Sequence, residues 1–142
     1  MIKSALSMLL CFSIATATLL EGYYRVTNIM VVKENGTVKG FNTTDLFILA
    51  ERDRIKIAGV HSGIHITREF TIEQIISDTL VLRDTENRDQ VFKISVFRNT
   101  ISAKHTFYSD DGGSTTYDAK AVLKKLSRAE IERVTSLIEF LR

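Results

Sequence analysis

The stretch Thr79-Leu-Val-Leu-Arg-Asp84-Thr-Glu-Asn-Arg-Asp89-Gln-Val-Phe-Lys-Ile-Ser-Val-Phe-Arg98 reads as a β-hairpin. Leu80 and Leu82 share one face of its first arm, and Phe92, Ile94 and Val96 share one face of its second. Between them Asp84 to Asp89 is polar, with the charged and Asn residues that suit a turn. Two arms with one apolar face each are the seed of an antiparallel sheet, and the rest of the chain repeats the pattern on both sides.

Downstream, Ile101 to Tyr108 alternates Ile101, Ala103, His105 and Phe107 with Ser102, Lys104, Thr106 and Tyr108. Asp110-Asp111-Gly112-Gly113 signals a turn, and Thr115 to Leu123 alternates again, although Ala-Lys-Ala-Val-Leu-Lys-Lys could also begin a helix. Upstream, Ile64 to Ile72 places Ile64, Ile66, Phe70 and Ile72 on one face, and Arg68 interrupts that face. An arginine there either covers a sheet end with its stem or faces an anionic group. Leu46 to Ala50 is wholly apolar and Arg54 to Val60 alternates, which gives two further strands after a loop at 40–44. Glu21 to Lys33, rich in aromatic and β-branched residues, is a long first strand ending in a turn at Glu34-Asn35-Gly36. In strict alternation Tyr24, Val26, Met30 and Val32 share one of its faces with Asn28 as the polar exception, and Tyr23 and Arg25 lie on the other.

The last segment changes period. Ser127 and Glu130 form a capping box, Leu126 and Ile131 a hydrophobic staple, and Ile131, Val134, Ile138 and Leu141 fall on one helical stripe. A helix over 128–142 is expected to dock on the sheet. The start of the chain differs in another way: Met-Ile-Lys is basic, Ala5 to Ile14 is largely apolar, and Ala15-Thr16-Ala17 has the form of a cleavage site. Residues 1–17 therefore read as a signal peptide, with a periplasmic or secreted destination. The apolar run is about half the ~20 residues a membrane crossing needs. Removing residues 1–17 of 142 leaves 125 without cysteine, because Cys11 lies in the leader. Disulfides cannot hold such a domain, but 125 residues can stand on a hydrophobic core.

Composition agrees with one domain over 18–142. The chain is 44% hydrophobic and 25% charged, and its 19 basic and 17 acidic residues are interspersed. A net charge of +2 spread along the chain offers no patch to neutralise phosphates, which argues against nucleic acid. The expected fold is all-β with one C-terminal helix: seven to nine antiparallel strands, curled or closed into an up-and-down barrel so that no edge is left open. Glu21-Gly22-Tyr23-Tyr24 and the arms Leu80-Val-Leu and Val91-Phe-Lys-Ile resemble small bacterial lipocalin-like proteins, with tyrosine where that family has tryptophan; this chain has no tryptophan. The resemblance implies a barrel whose interior can hold a small apolar ligand.

Chemistry-bearing residues are sparse. There is no nucleophile elbow, phosphate loop or dinucleotide fingerprint. His61 and His65 are four apart but lack a helical metal motif and its glutamate, and Asp110-Asp111 belongs to a turn before it suggests calcium. No cofactor, metal site or catalytic residue is expected. Two kinds of non-catalytic binding protein remain. One acts on a protein partner through its surface, with Tyr23, Arg25 and Tyr108 as exposed contact residues. The other is a lipocalin-like carrier in which the inward polar residues Arg68, His105 and Asn28 orient a small apolar or amphiphilic ligand. So many inward Phe and Leu residues would fill a barrel of this size, which favours the first.

Overall fold

The computed structural model describes the backbone of residues 19–36, 38–42, 45–61 and 63–142, and every side chain there except those of residues 39, 41, 42 and 105–108. The proposed leader lies outside the described residues. Nine strands are present among them: β1 (Gly22–Lys33), β2 (Val38–Asn42), β3 (Asp45–Ala50), β4 (Arg54–His61), β5 (Ile64–Ile76), β6 (Thr79–Asp84), β7 (Val91–Phe97), β8 (Thr100–Tyr108) and β9 (Ser114–Lys125). A helix α1 (Arg128–Leu137) and a 3-10 turn (Glu139–Leu141) end the chain.

From β3 to β9 every strand pairs antiparallel with the next, and β9 returns to β1, which pairs in turn with β3. The result is a closed up-and-down barrel of eight strands, lipocalin-like in topology, in which no long edge is left to solvent. The ninth strand, β2, forms where a loop was expected. It folds back on the second half of β1, Asn28 to Val32, while the first half, Gly22 to Arg25, carries β3 on the same edge. Its sequence Val-Lys-Gly-Phe-Asn has no apolar alternation, so the exposed β1 edge supplies the pairing that local sequence does not announce.

Outside the second half of β1, the inward faces follow the alternation. Leu80 and Leu82 stand opposite Ile94 and Phe92 across the β6–β7 hairpin, and both arms enter the barrel core with Ile48, Ile55, Val96 and Leu123. Phe70 meets Phe92 edge-on, with centroids 5.8 Å apart and rings at 87°.

A second apolar cluster lies outside the barrel. Phe47, Leu49 and Ala58 on the outer face of β3 and β4 pack with Leu126, Val134 and Leu141, flanked by Tyr23, Ile131, Ile138 and Phe140. Leu46 to Ala50 are all buried for this reason: alternate residues face the barrel core and the helix. The capping box forms as read, with Glu130 N–H donating to Ser127 Oγ and Ser127 N–H donating to Glu130. The helix stops at Leu137 and not at the C-terminus. Ile138 is extended (φ −120°, ψ 94°), and the break swings Leu141 into the wall, where it is 0% exposed.

Gly59 holds this wall together. Its φ is +142°, and a Cβ there would lie 1.8 Å from the Asp45 carbonyl oxygen. Only glycine lets β3 approach β4 so closely.

Candidate functional site

Among the cavities of the described structure, one lies inside the barrel and the two largest lie outside it, with a smaller outer one of about 360 Å³ beside Asn28. The inner one, of about 180 Å³, lies among Ile48, Ile57, Phe70, Leu82, Phe92 and Ile101, and every residue lining it is apolar. An apolar space of this size suits a molecule about as large as benzene. Ligand pockets of carriers usually measure about 300–1,000 Å³.

Arg68 sits on the inward face of β5, opposite Ile57 and two residues from Phe70. Its guanidinium is already committed. One Nη donates to the Asp84 carboxylate and the other lies 3.7 Å from Glu86. Asp84, only 1% exposed, also accepts the backbone N–H groups of Glu86 at 2.9 Å and Asn87 at 3.3 Å through its other oxygen. Thus one internal anion both neutralises Arg68 and caps the turn that follows β6. Arg68 is at a barrel end and also faces an anion, and the anion belongs to this chain. With its side chain 41% exposed, the head still reaches the mouth.

Asn28 is not inward. A β-bulge in β1 sets Val26 against Leu123 and Asn28 against Val122, so Thr27 is the extra residue, its hydroxyl donating to the Val122 carbonyl at 3.1 Å. The bulge inverts the alternation beyond it: Ile29 joins the core and Asn28 and Met30 are exposed. Strict alternation therefore assigned the second half of β1 to the wrong faces. His105 and Tyr108 lie in β8 opposite Tyr117 and Ser114, and their side chains fall outside the described residues.

Tyr23 and Arg25 point outward as expected, but α1 covers them. Tyr23 Oη donates to the Leu141 carbonyl at 2.9 Å. The Arg25 guanidinium lies 5.4 Å from the Phe47 ring centroid and 3.6 Å from Glu130. Both residues anchor the helix, a role invisible while the docking position of α1 is unknown. The Glu130 carboxyl is held below its ordinary value first by the Ser127 N–H, then by the Ser127 hydroxyl and by Arg25.

Beside that anchor runs the first outer cavity, a groove of about 670 Å³ between the end of α1 and the β3–β5 wall. Phe47, Val60 and Phe140 give it an apolar lining, with His65 and Arg133 at its sides. Leu137, which also lines it, is 78% exposed. The histidine pair does not converge, since His65 stands opposite Val60 and His61 opposite Ile64, which puts the two on opposite faces of the hairpin. Asp111 is a turn residue that accepts the Gly113 N–H at 3.0 Å and the Ser109 hydroxyl. Among the described residues no group of three metal-ligating side chains converges, and no helix is long and apolar enough to cross a membrane.

The second outer cavity, also about 670 Å³, is a slot between β7 and β8. Ile94 to Phe97 pair with Ala103 to Thr100, and β8 pairs with β9 along Thr100 to Tyr108. Val91, Phe92 and Lys93, which line the slot, pair with Arg83, Leu82 and Val81 on β6. No local motif marks this slot, because residues of several strands line it together.

Comparison with family models, with curated proteins and with solved structures returns no match.

Proposed function

We propose that this chain is a non-catalytic binding protein that acts on a protein partner through its outer surface, exported if the leader at 1–17 is cleaved. The observation that carries this reading is the contrast in volume: about 180 Å³ inside the barrel against about 670 Å³ in each outer cleft. A carrier needs its empty space inside, and here the inward Phe and Leu residues occupy it. Arg68, the inward cation that would orient an anionic ligand, is neutralised by Asp84. The contact surface moves from Tyr23 and Arg25, which hold α1, to the groove edge with Leu137, Phe140 and Arg133, a mixture of aromatic, aliphatic and Arg side chains suited to a partner.

The second reading, a member of the lipocalin family that carries a small apolar molecule, draws on the apolar lining of the inner cavity. Native mass spectrometry of the protein purified from its own source separates the two. A stoichiometric protein partner, with photo-crosslinks formed from a probe at Arg133 or Lys93, supports surface binding. A small-molecule adduct retained in the gas phase, with no protein partner, supports the carrier.

A further inference from the structure

We infer that the outer face formed by β7, β8, β9, β1 and β2 lies on the surface of an anionic lipid bilayer, its apolar side chains between the headgroups and its lysines against their phosphates. None of the residues concerned lines the groove beside α1, so the inference stands apart from the partner assigned to that groove.

Exposure is the first ground. Of the eight large apolar side chains exposed among the described residues, five are on this face: Val91, Phe97, Val122, Met30 and Val38. Register brings them together. Phe97 stands opposite Thr100, Thr100 opposite Val122, and Val122 opposite Asn28, with Met30 two residues further along β1. The bulge at Thr27 turns Met30 outward. Met30 and Val122 line one outer hollow of about 360 Å³ with Lys120 beside them, and Phe97 is 69% exposed. Apolar residues gathered in this way mark a surface that something covers.

Charge decides what covers it. Lys93, Arg98, Lys104 and Lys120 are dispersed along the sequence, but the sheet collects them. Lys93 and Lys104 line the slot between β7 and β8, Lys120 lies between Ser102 and Met30, and the Arg98 guanidinium is 5.4 Å from the Phe97 ring centroid. Asp118, opposite Lys104, is the acid placed among them. No ion pair among the described residues engages the three lysines. Cations around protruding apolar side chains match an anionic bilayer, where each cation strengthens attachment by about fivefold. A polyanion in water would leave Phe97 and Met30 uncovered, and two copies pairing through this face would set lysine against lysine.

The test mixes the full chain with vesicles of phosphatidylcholine, alone or with an equal part of phosphatidylglycerol, and sediments them. The chain has no tryptophan, so Phe97→Trp and Leu137→Trp, both at exposed positions, each supply a single fluorescent reporter. Expected are sedimentation with the mixed vesicles only, weakened by salt, a blue shift in Phe97→Trp and none in Leu137→Trp. The Lys93→Glu, Lys120→Glu double variant, whose substitutions point outward, should attach at least about tenfold more weakly. Absence of attachment, or equal attachment to neutral vesicles, overturns the inference. So does attachment without a shift in Phe97→Trp, as the apolar segment 5–14 alone would produce. A shift in Phe97→Trp that depends on protein concentration without vesicles gives the face to a second copy, and protein crosslinks from a probe at Lys93 give it to a protein partner; either result also overturns the inference.

Discussion

The wall beneath α1 and the wall at the β7–β8 slot belong to one barrel, but the first is packed on two faces and the second presents polar side chains outward. In the first, Phe47, Leu49 and Ala58 are buried outward against α1 while Leu46, Ile48 and Ala50 are buried inward. In the second, the outward positions are Lys93, Ser95, Ser102 and Lys104. Stability is therefore concentrated on one side of the barrel.

Substitutions on the clad wall should be costly, and the largest effect is expected at Gly59. Gly59→Ala forces a Cβ onto the Asp45 carbonyl and should destabilise by roughly 4 kcal/mol, measured by urea denaturation. Ser102→Ala on the slot wall should stay within about 0.5 kcal/mol. Similar values for the two would erase the distinction between the walls.

Next in size is Ile138, packed against the outer cluster. Ile138→Asp places a charge in that interface and should cost about 3 kcal/mol, whereas the exposed Glu139→Ala should cost less than about 0.5 kcal/mol. Equal losses would mean that α1 is not docked as described.

Between the two walls stands the Arg68–Asp84 pair. Arg68→Leu leaves Asp84 buried with two backbone N–H groups as partners, and about 2 kcal/mol should be lost, less than for a fully buried pair because the Arg68 head is partly solvated. The double variant Arg68→Leu, Asp84→Leu should recover part of that loss. If the single variant is as stable as wild type, the pair contributes nothing and Arg68 is free to serve a ligand.

The smallest effect concerns Glu130. Its carboxyl titrates below the ordinary 4.5 in the folded chain, so its contribution to helix docking is present above about pH 4.5 and fades as pH falls through the lower folded value. Stability between pH 5 and pH 3 should fall less steeply in Glu130→Gln than in wild type. A pH profile unchanged by the substitution would detach the capping box from the stability of this wall.

Local chemistry made much of the barrel legible. The 79–98 hairpin, the alternation of Ile64 to Ile72 and the Ser127–Glu130 box all state their structure within a few residues, because period and capping are short-range properties. What sequence could not show depends on a second strand. The bulge at Thr27 is fixed by β9, and it moved Asn28 from the interior to the surface. Tyr23 and Arg25 look like free outward residues until α1 is laid over them. Asp84 reads as the first residue of a turn, yet it is a buried partner for a side chain sixteen positions earlier. A glycine within the alternating strand Arg54 to Val60 was the one overlooked local signal, since glycine inside a strand marks a bulge or a close approach.

Titration with a dansyl-labelled long-chain fatty acid, followed by its fluorescence, tests the central claim most directly. The inner cavity of about 180 Å³ is small for such a chain, so the account predicts no saturable binding by the wild-type protein. One-to-one saturable binding that disappears when Ala103→Phe fills the remaining cavity would contradict it and make the barrel a carrier.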